Sequence, residues 1–305
     1  MKYFSSLIPL ALGFLVLLLS DSLRETSLIN AALQCILFAL VVCLPAWLTG
    51  RMSYVDIGWP WGLVVIGVVV YFYGQGDAMR VTLVSIAYLF AGGRMGVDAL
   101  RMWLSGELKT ELPRYEYQRR RWEKNGKTNA PLVKQVEVIS QGMANMSFLA
   151  LPALIIASNP QSSISVFEVI GLVLWFMAFA MESLADRQKH AFIKKMKAAG
   201  EANKVCNVGL WKYSRHPNYF AEWMVWNALV IAAIPSWLAL YDSEALAIWV
   251  LLGAGLLFAS RIMYVTLVYY TGAVPAEYYS VKKRPEYKAY QQSTNMFFPG
   301  RKKQG

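Results

Sequence analysis

The chain has 305 residues, 56% hydrophobic and 16% charged, with a mean hydropathy of +0.36 and a formal net charge of +11. A soluble domain carries about 25% charged residues, so this composition argues against a soluble enzyme and for a membrane protein. Three cysteines without Cys-x-x-Cys spacing and two histidines, His190 and His216, argue against a disulfide framework and a His-rich metal site.

Crossing a bilayer takes roughly 20 apolar residues. In chain order, candidate spans lie near 3–20, 28–49, 57–73, 79–103, 137–157, 164–185, 219–240 and 244–271. The first follows Lys2 as a signal peptide would, but no small-x-small site precedes Asp21, so it reads as a retained helix. The third is short and contains Pro60. The pattern predicts an all-α, polytopic membrane bundle of about eight transmembrane helices. It reads as one domain: N-terminal helices over 1–104, a basic loop over 105–136, C-terminal helices over 137–271 and a Tyr-rich tail over 272–305. No internal repeat supports an inverted-repeat transporter.

Placement explains the positive charge. Of the 30 Lys and Arg, eight fall in 105–136, eight in 186–217 and seven in 272–305. With eight spans these segments share one side, together with Lys2 and Arg51, while the opposite loops near 21–27, 74–78, 158–163 and 241–243 carry only Arg24. Cytoplasmic loops are enriched in Lys and Arg, so both termini are expected in the cytoplasm and no nucleic-acid partner is implied. Attraction of anionic lipid or an anionic cofactor is a secondary role of this charge. Arg119-Arg120-Arg121-Trp122 reads either as an interfacial helix or, more simply, as part of a solvated connector. Tyr279, Tyr287 and Tyr290 make the tail too aromatic for a disordered arm, so it is expected to fold back over the cytoplasmic face.

Polar groups in apolar surroundings mark candidate sites. In the fourth span Arg94, Asp98 and Arg101 form one stripe, with Arg94 and Asp98 able to pair, and Gly92, Gly93 and Gly96 leave room for a neighbouring helix or a ligand. In the sixth, Glu182 and Asp186 are spaced i, i+4 and repel unless a ligand or a neighbouring cation such as Arg187 or Lys189 lies beside them. Arg261, deep in the last span, needs an anionic partner, for which Glu222 and Glu182 are candidates. The densest signal is Gly209-Leu-Trp-Lys-Tyr-Ser-Arg-His-Pro-Asn-Tyr-Phe-Ala-Glu222. Pro217 suits a first helical turn, so a helix is expected to begin near His216. Its free N–H groups, with Arg215 beside them, would suit a phosphate. Arg215 and Tyr219 also fit a simple interfacial anchor, but Asn218 and Glu222, sharing one face at i, i+4, are not needed by an anchor.

These residues carry a resemblance. The run from Gly209 to Glu222 resembles the signature of an uncharacterised bacterial membrane family grouped with the C-terminal domain of the steroid 5-alpha-reductases. So do Asp186-x-Gln188-x-x-x-Phe192, Gly272-x-x-Pro, Arg284-Pro-x-Tyr-x-x-Tyr and the closing Phe-Phe-Pro299. The resemblance implies an enzyme of a bacterial inner membrane that binds NADPH from the cytoplasmic side and reduces an activated double bond in a lipid or steroid-like substrate. It implies cofactor roles for Asn218, Tyr219, Glu222, Asp186, Tyr279 and Arg94; Asp98, Glu182, Arg215 and His216 join them from the spacing arguments above. Glu182 stands where the reductases have Asn. Their catalytic Gln-Glu pair is not found here; Tyr54 and Asp56 occupy a comparable region and take its place, Asp56 orienting Tyr54 as proton donor. Arg215-His216-Pro217-x-Tyr219 is also similar to the isoprenylcysteine carboxyl methyltransferases, which implies S-adenosylmethionine and a lipid or prenyl-linked acceptor as the alternative. Those enzymes usually carry an Arg-x-x-x-Glu-Glu run before the tail, whereas this chain has the single Glu277.

Overall fold

A computed structural model describes residues 3–127 and 129–301; Lys2 and the last four residues of the tail lie outside it. Among the described residues there are helices and no strand. The helices are α1 (Leu7–Leu19), α2 (Arg24–Phe38), α3 (Leu44–Thr49), α4 (Val55–Tyr73), α5 (Ala78–Leu104), α6 (Pro113–Lys124) and α7 (Ala130–Met146). They continue with α8 (Leu151–Ser158), α9 (Val166–Ala198), α10 (Pro217–Ala239), α11 (Leu246–Val265), α12 (Ala273–Lys283) and α13 (Tyr287–Ser293).

Seven stretches among the described residues are long and apolar enough to cross a membrane. The expected first span is shorter than that: α1 has 13 residues, against roughly 20 for a crossing. The expected fifth span is interrupted. α7 ends at Ser147, whose backbone leaves the helical region (φ −116, ψ −103), and α8 restarts with Pro152 in its first turn. Pro60 lies inside α4 without ending it, although it removes the hydrogen bond that the Asp56 carbonyl would otherwise accept. Ahead of Pro45, α2 passes into α3 through a π-helical turn, Ala39–Cys43.

Contacts divide the chain into two compact units, Met1–Gly171 with Leu229–Ala259, and Leu172–Ala228 with Ser260–Gly305. In the first, α4 packs most extensively against α5 and also touches α2, α7 and α8. The α4–α5 contact is close because Gly92 lies against α4 backbone: a Cβ there would sit 2.6 Å from the Pro60 carbonyl oxygen. Outward side chains are apolar, with Leu48, Phe72 and Leu257 each at least 70% exposed. Such a surface suits lipid and not water.

Hydrogen bonds join the four turns that charge counting places on one side. Glu244 accepts from Ser20 Oγ at 2.6 Å and from the Ser22 N–H at 2.9 Å. Thr26 Oγ1 donates to the Tyr73 carbonyl at 3.3 Å, Gly76 N–H to Ala157 O at 2.7 Å and Asp77 N–H to Asn159 O at 2.8 Å. Asn159 Nδ2 reaches Ser236 Oγ at 3.1 Å, and buried Arg80 pairs with Glu168 at 2.5 Å. The apolar segments of this unit therefore alternate in direction, with a short first one.

The basic segment at 105–136 is not a solvated connector. Tyr115 and Trp122 of α6 are buried against Phe38, Val42, Met52, Val55 and Val133, while Arg119 and Arg120 stay exposed. Glu111 caps the approach to α4, accepting from the Met52 N–H at 2.9 Å and Ser53 Oγ at 2.7 Å. In the second unit, α12 and α13 carry the tail back as expected, with Tyr287 and Tyr290 buried. Arg261 lies on the exposed surface of α11.

Replacing Gly92 by Ala drives a methyl group into α4 backbone and is expected to cost about 1–3 kcal/mol. Gly93→Ala, with nothing within 4 Å, should cost nothing and gain about 0.5–1 kcal/mol from the lower backbone entropy of Ala in a helix interior. Melting temperatures of the two detergent-solubilised variants check this.

Candidate functional site

The densest polar structure lies in the second unit, where Gly209–Glu222 meets the tail. Gly209 begins the run in the left-handed region (φ +52), and a Cβ there would lie 2.3 Å from Gln188 Oε1. Only glycine allows this approach, through which Gln188 accepts the Leu210 N–H at 2.8 Å. α9 continues past the expected end of its span, so Gln188 is helical and rigidly placed. Trp211 is buried; its indole N–H donates to Ala185 O at 2.9 Å and Lys189 Nζ lies 4.5 Å from its ring.

Arg215 is the hub. Its Nε donates to Glu277 Oε1 at 2.6 Å and its Nη2 to Oε2 at 3.1 Å, a two-point pairing buried on both sides. Its Nη1 donates to the carbonyls of Gln291, at 3.0 Å, and Thr294, and its own N–H to Asn295 O at 2.9 Å. Gln291 Nε2 donates to Glu277 Oε2 at 2.6 Å, and His216 Nε2 lies 3.2 Å from Oε1. Ser214 Oγ donates to Phe297 O at 2.9 Å, and the buried Tyr290 hydroxyl donates to Trp211 O. Arg215 and His216, read from sequence as cofactor ligands, thus spend these polar groups on holding the tail.

What they position is the start of α10. Asn218 Nδ2 donates to Asp186 Oδ1 at 3.0 Å. This bond joins two expected carboxylate-bearing faces: Glu182 lies one turn along α9 from it, buried, and Glu222 one turn along α10, half-buried. Asn218 Oδ1 is buried and accepts no hydrogen bond. Tyr219 stacks parallel to His216 with centroids 5.2 Å apart. Tyr279 is half-buried, edge-on to Tyr278 at 5.1 Å. An aromatic group of Phe220, Trp223, Tyr264, Phe297 and Phe298 secures the end of the tail against α10 and α11.

The other four predicted residues belong to the first unit. Asp56 does not orient Tyr54: its Oδ1 accepts from the Tyr115 hydroxyl at 2.6 Å and its Oδ2 from Arg114. Burial, then the Asp56 charge, raises the Tyr115 phenol well above its usual range, so it remains a donor. Tyr54 instead accepts from Arg51 Nη2 at 2.9 Å. Asp98 pairs with Arg101 at 2.9 Å on the exposed surface, and Arg94 is half-buried. Among the described residues no cluster of three or more His, Cys, Asp or Glu could hold a metal ion. Gln291 bears no charge, and its separation of 76 positions from Arg215 leaves no spacing signal that the two meet.

The chain belongs to the family described as a protein of unknown function (DUF1295), whose model matches residues 43–294. No curated protein and no solved structure matches it.

The tail contact has a pH signature. Burial lowers the His216 imidazole from its ordinary value of 6.5, against an opposing pull from its hydrogen bond with Glu277. The folded chain thus takes up this proton less readily than the unfolded one. The histidine's contribution is complete above pH 6.5 and is lost as pH falls below it. The melting temperature should fall between about pH 7 and about pH 5, where histidine titrates, and His216→Gln should flatten that slope. Equal slopes would remove His216 as the responsible group.

Proposed function

We propose that this chain is an integral-membrane reductase that uses NADPH to reduce an activated carbon–carbon double bond in a lipid or steroid-like substrate. On this reading the family is a branch of the steroid 5-alpha-reductase group and works in a bacterial inner membrane. The cofactor is held in the second unit, where α9 and α10 meet at Asp186 and Asn218. The observation that carries this is the Asn218 amide: its nitrogen is committed to Asp186, while its buried oxygen has no donor. Such an acceptor costs roughly 1–3 kcal/mol unless a ligand supplies a hydrogen. The carboxamide, ribose hydroxyls and adenine amine of a dinucleotide supply them, and Glu182 and Glu222 add acceptors one turn away.

When bound, NADPH supplies hydride. Asp186 fixes the Asn218 amide so that its oxygen faces the ligand. Arg215 and His216 are positioning residues that lock the loop before α10, and Tyr219 and Tyr279 complete the set by resemblance. S-adenosylmethionine is the alternative occupant, and binding separates the two.

A ligand that binds only the folded state raises its melting temperature. NADPH is expected to do so for the detergent-purified protein. Glu222→Gln, which keeps the side chain's shape, and Asn218→Leu should each remove most of that rise. Stabilisation by S-adenosylmethionine alone would replace the reductase by a methyltransferase, and an undiminished NADPH effect in Glu222→Gln would remove Glu222 from the site.

A further inference from the structure

A second set of polar groups, unrelated to the cofactor reading, is buried among α2, α4 and α7 of the first unit. Asn30, Gln34 and Asn145 are at most 1% exposed, each within an apolar helix. Gln34 Nε2 donates to Gly62 O at 2.8 Å and to Asn30 Oδ1 at 3.2 Å. Asn30 Nδ2 donates to Asn145 O at 3.1 Å, and Asn145 Nδ2 to Trp59 O at 3.1 Å. These carbonyl acceptors fix which end of the Gln34 and Asn145 amides is nitrogen: a flip would set oxygen against oxygen. Asn30 is thereby satisfied. Gln34 Oε1 and Asn145 Oδ1 are both buried and accept nothing. Both amides press on one point of α4: a Cβ on Gly62 would lie 2.0 Å from Asn145 Nδ2 and 2.7 Å from Gln34 Oε1.

Unmatched polar atoms inside a membrane segment are costly, because lipid offers no donor. Two acceptors with no donor call for a group that brings hydrogens. A cation is disfavoured, since this cluster contains no carboxylate to balance its charge at membrane depth. We propose that Gln34 Oε1 and Asn145 Oδ1 form a binding site for a neutral hydroxyl donor, either a water molecule or the hydroxyl of a lipid-soluble alcohol. A water or an alcohol hydroxyl brings the hydrogen that such an acceptor lacks.

Two measurements on the intact protein test this. In a structure determined at a resolution that shows waters, the site should contain a density peak within hydrogen-bond distance of Gln34 Oε1 and Asn145 Oδ1. In detergent, melting temperatures are compared with 1-decanol and with decane. A rise with the alcohol only, abolished in Gly62→Ala and kept in Gly93→Ala, identifies an alcohol hydroxyl as occupant. A peak with no such difference identifies water. No peak together with no alcohol-specific rise overturns the proposal, as does an alcohol-specific rise that survives in Gly62→Ala without a peak.

Discussion

The pairing of Arg215 with Glu277 is the interaction on which the second unit depends. One guanidinium joins residues far apart in sequence: its own loop, the middle of α12 through Glu277, and the end of α13 through the Gln291 and Thr294 carbonyls. A buried charge pair pays for its desolvation only if each remaining hydrogen-bonding atom finds a partner. Here Gln291 and His216 supply the further donors Glu277 needs, and tail carbonyls take both N–H groups of the Arg215 Nη1. The loop from Gly209 to Pro217 is held at both ends, by Gln188 and by Glu277. That rigidity fixes the Asn218 amide at the first turn of α10.

The first unit solves a different problem. Its apolar helices present little chemical contrast to lipid, so hydrophobic burial alone cannot specify their order. Specification comes from polar bonds at the helix ends and from close backbone approach. The four turns on one side are tied by Glu244, Asn159 and the Arg80–Glu168 pair. On the other, Glu111, Arg114 and Tyr115 bind the segment before α6 and α6 itself to the start of α4. Gly92 lets α4 and α5 approach closely.

Much of this was legible in the sequence because hydropathy and charge report directly on lipid and its boundaries. The apolar runs locate the helices, and the lone Arg24 among the opposite loops foretells which turns share an end. Pro217 marks the start of α10, and the i, i+4 spacing of Asn218 and Glu222 gives their common face. Three features were not legible. The break at Ser147 depends on backbone dihedrals that an apolar run conceals. The burial of Trp122 depends on a surface that α6 meets only after folding, so its flanking arginines read as solvent-exposed. The partners of Asp56 and Arg215 are 58 or more positions away, and residue spacing carries no information at that range.

The central claim is that Arg215 and Glu277 act as one unit that holds the tail and so builds the start of α10. A double-mutant cycle on stability tests it, with Arg215→Met, Glu277→Met and the double variant. Each single change leaves a charge buried without its partner and should cost about 3–5 kcal/mol. The double variant should be no less stable than either single one, a coupling of several kcal/mol. Losses that simply add would mean that the two side chains act independently, and would contradict the account.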